Sequence, residues 1–99
     1  MRRARYIEGA LPIEALPLDV KLYCVYGNPA FPNAMCCKLR ARPGYRTIWS
    51  QSVDNNRIGF NGLGDEFEGW RARHRFCYFF LDIDHAVALV RELIQPIRP

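Results

Sequence analysis

Charged and apolar residues alternate with a period of two in two stretches of the chain. In the first stretch Lys38, Arg40 and Arg42 are separated by smaller or apolar side chains, and in the second the charged residues are Arg71, Arg73 and Arg75. Successive side chains of a β-strand point to opposite faces. The period therefore predicts two strands, each with three cations about 7 Å apart along one face. We call these sets the first and the second cationic stripe.

Apolar, aromatic and β-branched runs predict the rest of a sheet. The predicted strands cover residues 20–26, 35–42, 46–53 and 70–81, with a shorter one over 57–61. Pro43 and Gly44 form a turn that joins two of these strands into a hairpin, and residues 54–56 form another turn. Two prolines interrupt residues 1–19, which predicts a loosely structured opening segment.

A helix is predicted over residues 83–95. Its first turn is capped by Asp82 or Asp84, and Pro96 ends it. Apolar residues recur at helical spacing and predict a helix face that covers the sheet: Ile83, Val87, Val90, Leu93 and Ile94.

These elements predict an α+β fold in one domain that spans residues 1–99. Residues 20–81 form a mainly antiparallel sheet of four to five strands, and the C-terminal helix packs on one face of it. We expect the two cationic stripes to lie near each other on the other face.

Charge is unevenly distributed along the chain. The formal net charge is +4, from 14 basic and 10 acidic residues. Leaving aside the six residues of the stripes and an amino-terminal cluster of three arginines, five basic residues remain against ten acidic ones. The protein is therefore two-signed rather than uniformly basic. This distribution favours an oriented contact over diffuse attraction to a polyanion.

The glycine-rich segment 59–69 is a second candidate site. Its acidic tip suits a basic partner, and the alternative is a flexible surface hairpin without a role. Tryptophan and arginine are enriched among the residues that dominate binding energy at interfaces. The predicted partner-binding residues are Lys38, Arg40, Arg42, Arg71, Arg73, Arg75, Asp65, Glu66, Glu68 and Trp70.

The cysteines fit structural thiols better than a metal site. Cys24, Cys37 and Cys77 lie among apolar residues of predicted strands, where a reduced cysteine packs as a small hydrophobic residue. Zinc is the alternative, but the ligand spacings CxxC and HxxxH do not occur. We therefore expect no metal and no cofactor. Apolar runs are too short to cross a bilayer, so we expect a cytoplasmic protein without membrane contact.

Catalysis finds little support in the sequence. The two histidines are His74, in a predicted strand, and His85, in the first turn of the predicted helix. Neither belongs to a recognisable set of nucleophile, base and orienting group. The enzyme alternative is a ribonuclease in which arginines bind phosphate and one of the histidines is the general base.

The main hypothesis is a small non-enzymatic binding protein that covers a surface of a partner protein or nucleoprotein complex. Small size and the absence of catalytic motifs are typical of inhibitors carried by phages or mobile elements, so an anti-CRISPR-like protein acting in the host cytoplasm is one such setting. The alternative is a small nucleic-acid-binding protein that places its cationic stripes on phosphates. Either a monomer or a homodimer fits the sequence.

Overall fold

A computed structural model describes residues 7–52, 59–60 and 64–94, and it confirms the α+β class. The predicted turn at 54–56, most of the predicted strand at 57–61 and the last residue of the predicted helix, Gln95, lie outside the described residues. The strands are β1 (Leu22–Asn28), β2 (Phe31–Arg42), β3 (Tyr45–Ser52), β4 (Gly59–Phe60), β5 (Asp65–Glu66) and β6 (Phe76–Phe80). The α-helices are α1 (Phe67–Ala72) and α2 (Ile83–Ile94), and a short 3-10 helix covers Ile13–Ala15.

The strands form one antiparallel sheet in the order β4, β3, β2, β1, β6. The short strand β5 pairs with β3, beside the position where β4 pairs with the end of the same strand. Strand β6 follows α1 in sequence and pairs with β1. Within the described ranges, β6 is therefore the strand at the end of this order.

Strand β2 begins at Phe31, four residues before its predicted start. The side chain of Asn28 accepts a hydrogen bond of 2.9 Å from the backbone N–H of Ala30, which closes a tight turn where a longer loop was expected. Pro32 lies opposite Gly27, beyond the part of β2 that pairs with β3. A strand edge of this kind tolerates proline.

The predicted strand over 70–81 is wrong in its first half, because residues 67–72 form α1. The carboxylate of Glu66 accepts hydrogen bonds of 2.9 Å from the backbone N–H groups of both Glu68 and Gly69, which caps the helix. Phe67 and Trp70 are three positions apart, so one side of the helix buries both. The second cationic stripe therefore begins in a helix and continues into a turn.

Both faces of the sheet are covered, in contrast to the expectation of one covered face. On one face, which we call the α1 face, α1 and the segment before β1 enclose the first core. On the other face, which we call the α2 face, α2 and residues near the start of the chain enclose the second core. The α1-face core contains Leu16, Leu22, Cys24, Cys37, Leu39, Ile48, Phe67, Trp70 and Phe79, and the α2-face core contains Val25, Phe80, Ala86 and Leu89.

The described part of the N-terminal segment packs against the sheet. It crosses the β6 edge where the backbone N–H of Leu11 donates to the carbonyl of Phe79 at 2.9 Å. Ile7 packs in the α2-face core and Leu16 in the α1-face core, so the segment passes from one face to the other. Hydrophobic burial on both faces holds it in place.

Candidate functional site

The first cationic stripe lies on the α2 face, over the part of the sheet that α2 leaves uncovered. In the β2–β3 hairpin Lys38 pairs with Trp49 and Arg42 with Tyr45. Directly paired residues of antiparallel strands share a face, so these side chains project together. Helix α2 packs over β1, β2 and β6. We define the basic face as the five residues Lys38, Arg40, Arg42, Tyr45 and Trp49.

Contacts within the basic face hold an aromatic ring next to a cation. The guanidinium carbon of Arg40 lies 5.6 Å from the centre of the Trp49 ring, within the range of a cation–π interaction. The indole Nε1 of Trp49 donates a hydrogen bond of 2.8 Å to the hydroxyl of Thr47. The ring also lies close to Gly64, where an added Cβ would come within 2.9 Å of indole atoms. The ring is therefore fixed before any partner arrives.

The basic face combines positive charge with aromatic surface. Arg40 donates from Nε to Asp19 at 3.1 Å, and both side chains are partly exposed, so this pair adds little to stability. Arg42 is exposed, and Tyr45 keeps half of its surface in solvent. Guanidinium groups bind carboxylates through paired hydrogen bonds, and the neighbouring rings offer apolar area. This chemistry suits an acidic surface that carries apolar groups.

An apolar groove lies beside the basic face, between α2 and β2. Its volume is about 510 Å³, and its lining includes Tyr23, Ala34, Cys36, Ile83, Val87, Val90 and Arg91. The sequence predicted that Ile83, Val87 and Ile94 would cover the sheet. This prediction is wrong, because these three residues are 51%, 38% and 60% exposed. The apolar side of α2 is wider than the part that the sheet buries. The apolar residues left outside the sheet contact border the groove. We call it the α2 groove.

The α2 groove and the basic face form one continuous surface. Cys36 lines the groove, and Lys38 follows it two residues later on the same face of β2. The surface is thus apolar beside α2 and cationic toward the β2–β3 turn. Arg91 adds a further cation at the rim of the groove.

The other predicted site residues gather around α1, where acids and bases pair with one another. Glu68 accepts from Arg46 at 2.9 Å and from Arg71 at 3.1 Å, and Asp65 lies 3.8 Å from Arg73. The hydrogen bond from Arg46 is the main reason that the pKa of Glu68 is lowered. The two stripes therefore do not share one face, and the expected surface of six cations does not form. A role of the α1 residues in binding stays a prediction.

Trp70 lies in the core and is only 8% exposed. The ring of His74 packs against it at 4.7 Å and against Tyr26 at 4.9 Å, between ring centres. His74 also borders a groove of about 480 Å³, together with Arg71 and Arg75. His85 is distant in sequence, on α2, where its Nε2 lies 3.8 Å from Glu8. The expectation that neither histidine takes part in catalysis stays a prediction.

The four cysteines are unpaired thiols, and burial raises the pKa of each one. The pKa of Cys37 is raised to about 12. A raised pKa lowers the thiolate fraction at neutral pH, so alkylation should be slow and should accelerate as pH rises. The side chains of Cys24 and Cys37 are fully buried, whereas Cys36 and Cys77 are half-buried.

We therefore expect iodoacetamide at pH 8 to modify Cys36 and Cys77 in the folded protein, and to modify Cys24 and Cys37 only after unfolding. Peptide mass spectrometry of a labelling time course measures the four rates separately, with protein in urea as the reference. Equal rates at Cys24 and Cys36 in the folded protein would contradict the full burial of Cys24.

Comparisons with known proteins do not assign this chain to a family. No protein-family profile, curated protein or solved structure matches it. In the described part of the chain, no cluster of three or more histidine, cysteine or acidic side chains could hold a metal ion. The helices at 67–72 and 83–94 are both too short to cross a membrane. The function must therefore be argued from the surface itself.

Sequence reasoning found the three cations of the basic face but missed its aromatic residues and the α2 groove. The Pro43–Gly44 turn could have located Trp49, because a two-residue turn fixes the register that places it opposite Lys38. The groove had a weaker signal. Whether the groove forms depends on how much of the apolar side of α2 the sheet covers, and no local sequence pattern determines that.

Proposed function

We propose that this protein binds a partner protein through the basic face and the α2 groove, and that it acts by covering the surface it binds. The observation that carries this proposal is the continuity of the two parts. A fixed tryptophan and three cations adjoin an apolar groove on one face of the sheet. Interfaces that bind specifically combine such an apolar centre with a charged rim.

The charge distribution favours a protein over nucleic acid as the partner. A nucleic-acid-binding face would gather both cationic stripes along one path, but the second stripe lies around α1 with acidic neighbours. Apolar grooves contribute little to contact with phosphates, whereas they bury side chains of a protein partner. We infer an inhibitor or adaptor without catalytic action of its own. We place the protein in a reducing compartment such as the cytoplasm, where cysteines remain thiols.

The test is affinity purification with the full chain as bait, from host lysate treated with nuclease. We expect one dominant protein to be retained in stoichiometric amount at 0.3 M salt, because apolar contact in the groove is not screened. Binding of arbitrary DNA or RNA, with an affinity that falls steeply with salt, would instead support the nucleic-acid alternative. That result, with no protein retained from the nuclease-treated lysate, would overturn the proposal.

A further inference from the structure

From the dimensions and the charge of the α2 groove, we propose that its occupant is an amphipathic helix of the partner, with an apolar stripe along one side and acidic residues at one end. The inference rests on the proposed function, since it names what the same surface binds. Three observations carry it: the unfilled width of the α2 face, the outer apolar stripe of α2, and the cations at one end of the groove.

The described elements on the α2 face leave room for one more helix. Neighbouring strands lie about 4.8 Å apart, so the five-strand path is roughly 19 Å wide between its outer strands. Helices that pack side by side lie about 8–10 Å apart. Helix α2 packs over β6, β1 and β2, and the described part of the chain places no second helix beside it. Among the described residues, the strip of β2 beside α2 is therefore uncovered, and its width matches that of a single helix.

The outer stripe of α2 supplies the wall that such a helix would pack against. Ile83, Val87 and Val90 recur at intervals of four and three residues, which aligns them along one side of α2. All three line the groove, opposite Ala34 and Cys36 of β2. The small side chains on the floor let a helix approach the sheet closely. A helix that packs against this apolar wall and this apolar floor needs an apolar stripe of its own.

The charge of the surface decides the chemistry of the partner's other residues. Beyond one end of the groove, the α2 face continues into Lys38, Arg40 and Arg42. Acidic residues at one end of the incoming helix would meet these cations. A second copy of this chain is a poorer occupant. In a symmetric dimer the same patch meets itself, and neither the lining of the groove nor the basic face contains an acidic residue that could pair with the cations.

The experiment uses three labelled synthetic 18-residue peptides as probes. The first has leucines at helical spacing and glutamates at one end. The second has the same composition in scrambled order, and the third replaces the glutamates with lysines. Titration into isotope-labelled full-length protein, followed by two-dimensional NMR, gives both affinity and location. We expect the first peptide to bind with a Kd on the order of 100 μM, and the other two at least tenfold more weakly.

Two variants of α2 test whether the first peptide binds in the α2 groove. Val87→Glu places a charge in the groove and should weaken the first peptide at least tenfold, because a carboxylate cannot be buried there unpaired. Ala88→Glu is the matched control, since Ala88 is exposed, is next in sequence and does not line the groove. It should change the affinity less than twofold. Both substituted positions are on the surface, so both variants should fold.

Equal binding of the scrambled peptide, or shifts centred on α1, would overturn the helix proposal. So would dimerisation in sedimentation that Val87→Glu abolishes, because the groove would then be filled by a second copy. Failure of the peptides together with a native partner that protects the basic face would refute the helix alone. A native partner that protects another surface would refute the proposed function.

Discussion

Reversing two charges of the basic face should lower partner affinity at least about 100-fold. In the double variant Lys38→Glu/Arg42→Glu, two attractions to an acidic partner become repulsions. Breaking a desolvated charge pair at an interface costs about 2–5 kcal/mol, and 2.7 kcal/mol corresponds to 100-fold. Arg40 is left unchanged, which keeps its ion pair with Asp19 and its contact with the Trp49 ring.

The matched control is Arg73→Glu/Arg75→Glu. It changes the net charge by the same amount and alters exposed residues in the turn between α1 and β6. Long-range electrostatic steering responds to total charge, so it should affect both variants similarly and mainly through the association rate. Isothermal titration with the purified partner should show a loss for the first variant and less than a fivefold change for the control. Equal losses would mean that net charge, not the basic face, drives binding.

Phe67→Ala should destabilise the fold more than any surface change. Phe67 is fully buried, lies 5.7 Å from Phe79 between ring centres, and carries the Arg46 guanidinium 4.6 Å over its ring. Truncating a buried phenylalanine costs about 3–5 kcal/mol, out of a total of about 5–15 kcal/mol for a domain of this kind. Since each kcal/mol lowers Tm by about 4–8 °C in a small domain, we expect a fall of roughly 15–30 °C.

Two further variants keep this prediction decisive if Phe67→Ala fails to fold. Phe67→Leu retains most of the buried volume and should cost much less, about 1 kcal/mol. Phe31→Ala removes an equally large side chain that is 80% exposed at the β1–β2 turn, and should change stability by less than about 0.5 kcal/mol. Urea unfolding measures all three. If Phe67 and Phe31 cost the same, α1 does not cover the sheet as described.

The elements with a strong local pattern could be predicted from the sequence. The α2 helix was predicted because its apolar spacing and a capping residue, Asp82, both indicate a helix. In the structure the Asp82 side chain accepts a hydrogen bond of 2.9 Å from the backbone N–H of Asp84. The β2–β3 hairpin was predicted for a similar reason, since Pro43 and Gly44 form its turn and Gly44 adopts the positive φ that glycine allows.

The α1 helix was missed because two patterns compete in the same segment. Alternating arginines suggest a strand, but Glu66 caps a helix and Phe67 and Trp70 fill the core from it. Burial of two large aromatic rings outweighs the preferences of exposed arginines. Of the candidate site, sequence reasoning could supply the charges of one strand. It could not supply the neighbours that make them a surface, because these come from sheet order and from how α2 lies across the sheet.

The most direct test of the central claim is amide hydrogen exchange of the protein with and without its purified partner. The account predicts slower exchange in the bound state along residues 34–42 and 45–49, and in the half of α2 that contains Val87. Exchange around α1 and the turn at 73–75 should stay the same. Protection confined to α1, or to the β6 edge, would contradict the assignment of the basic face and the α2 groove as the binding surface.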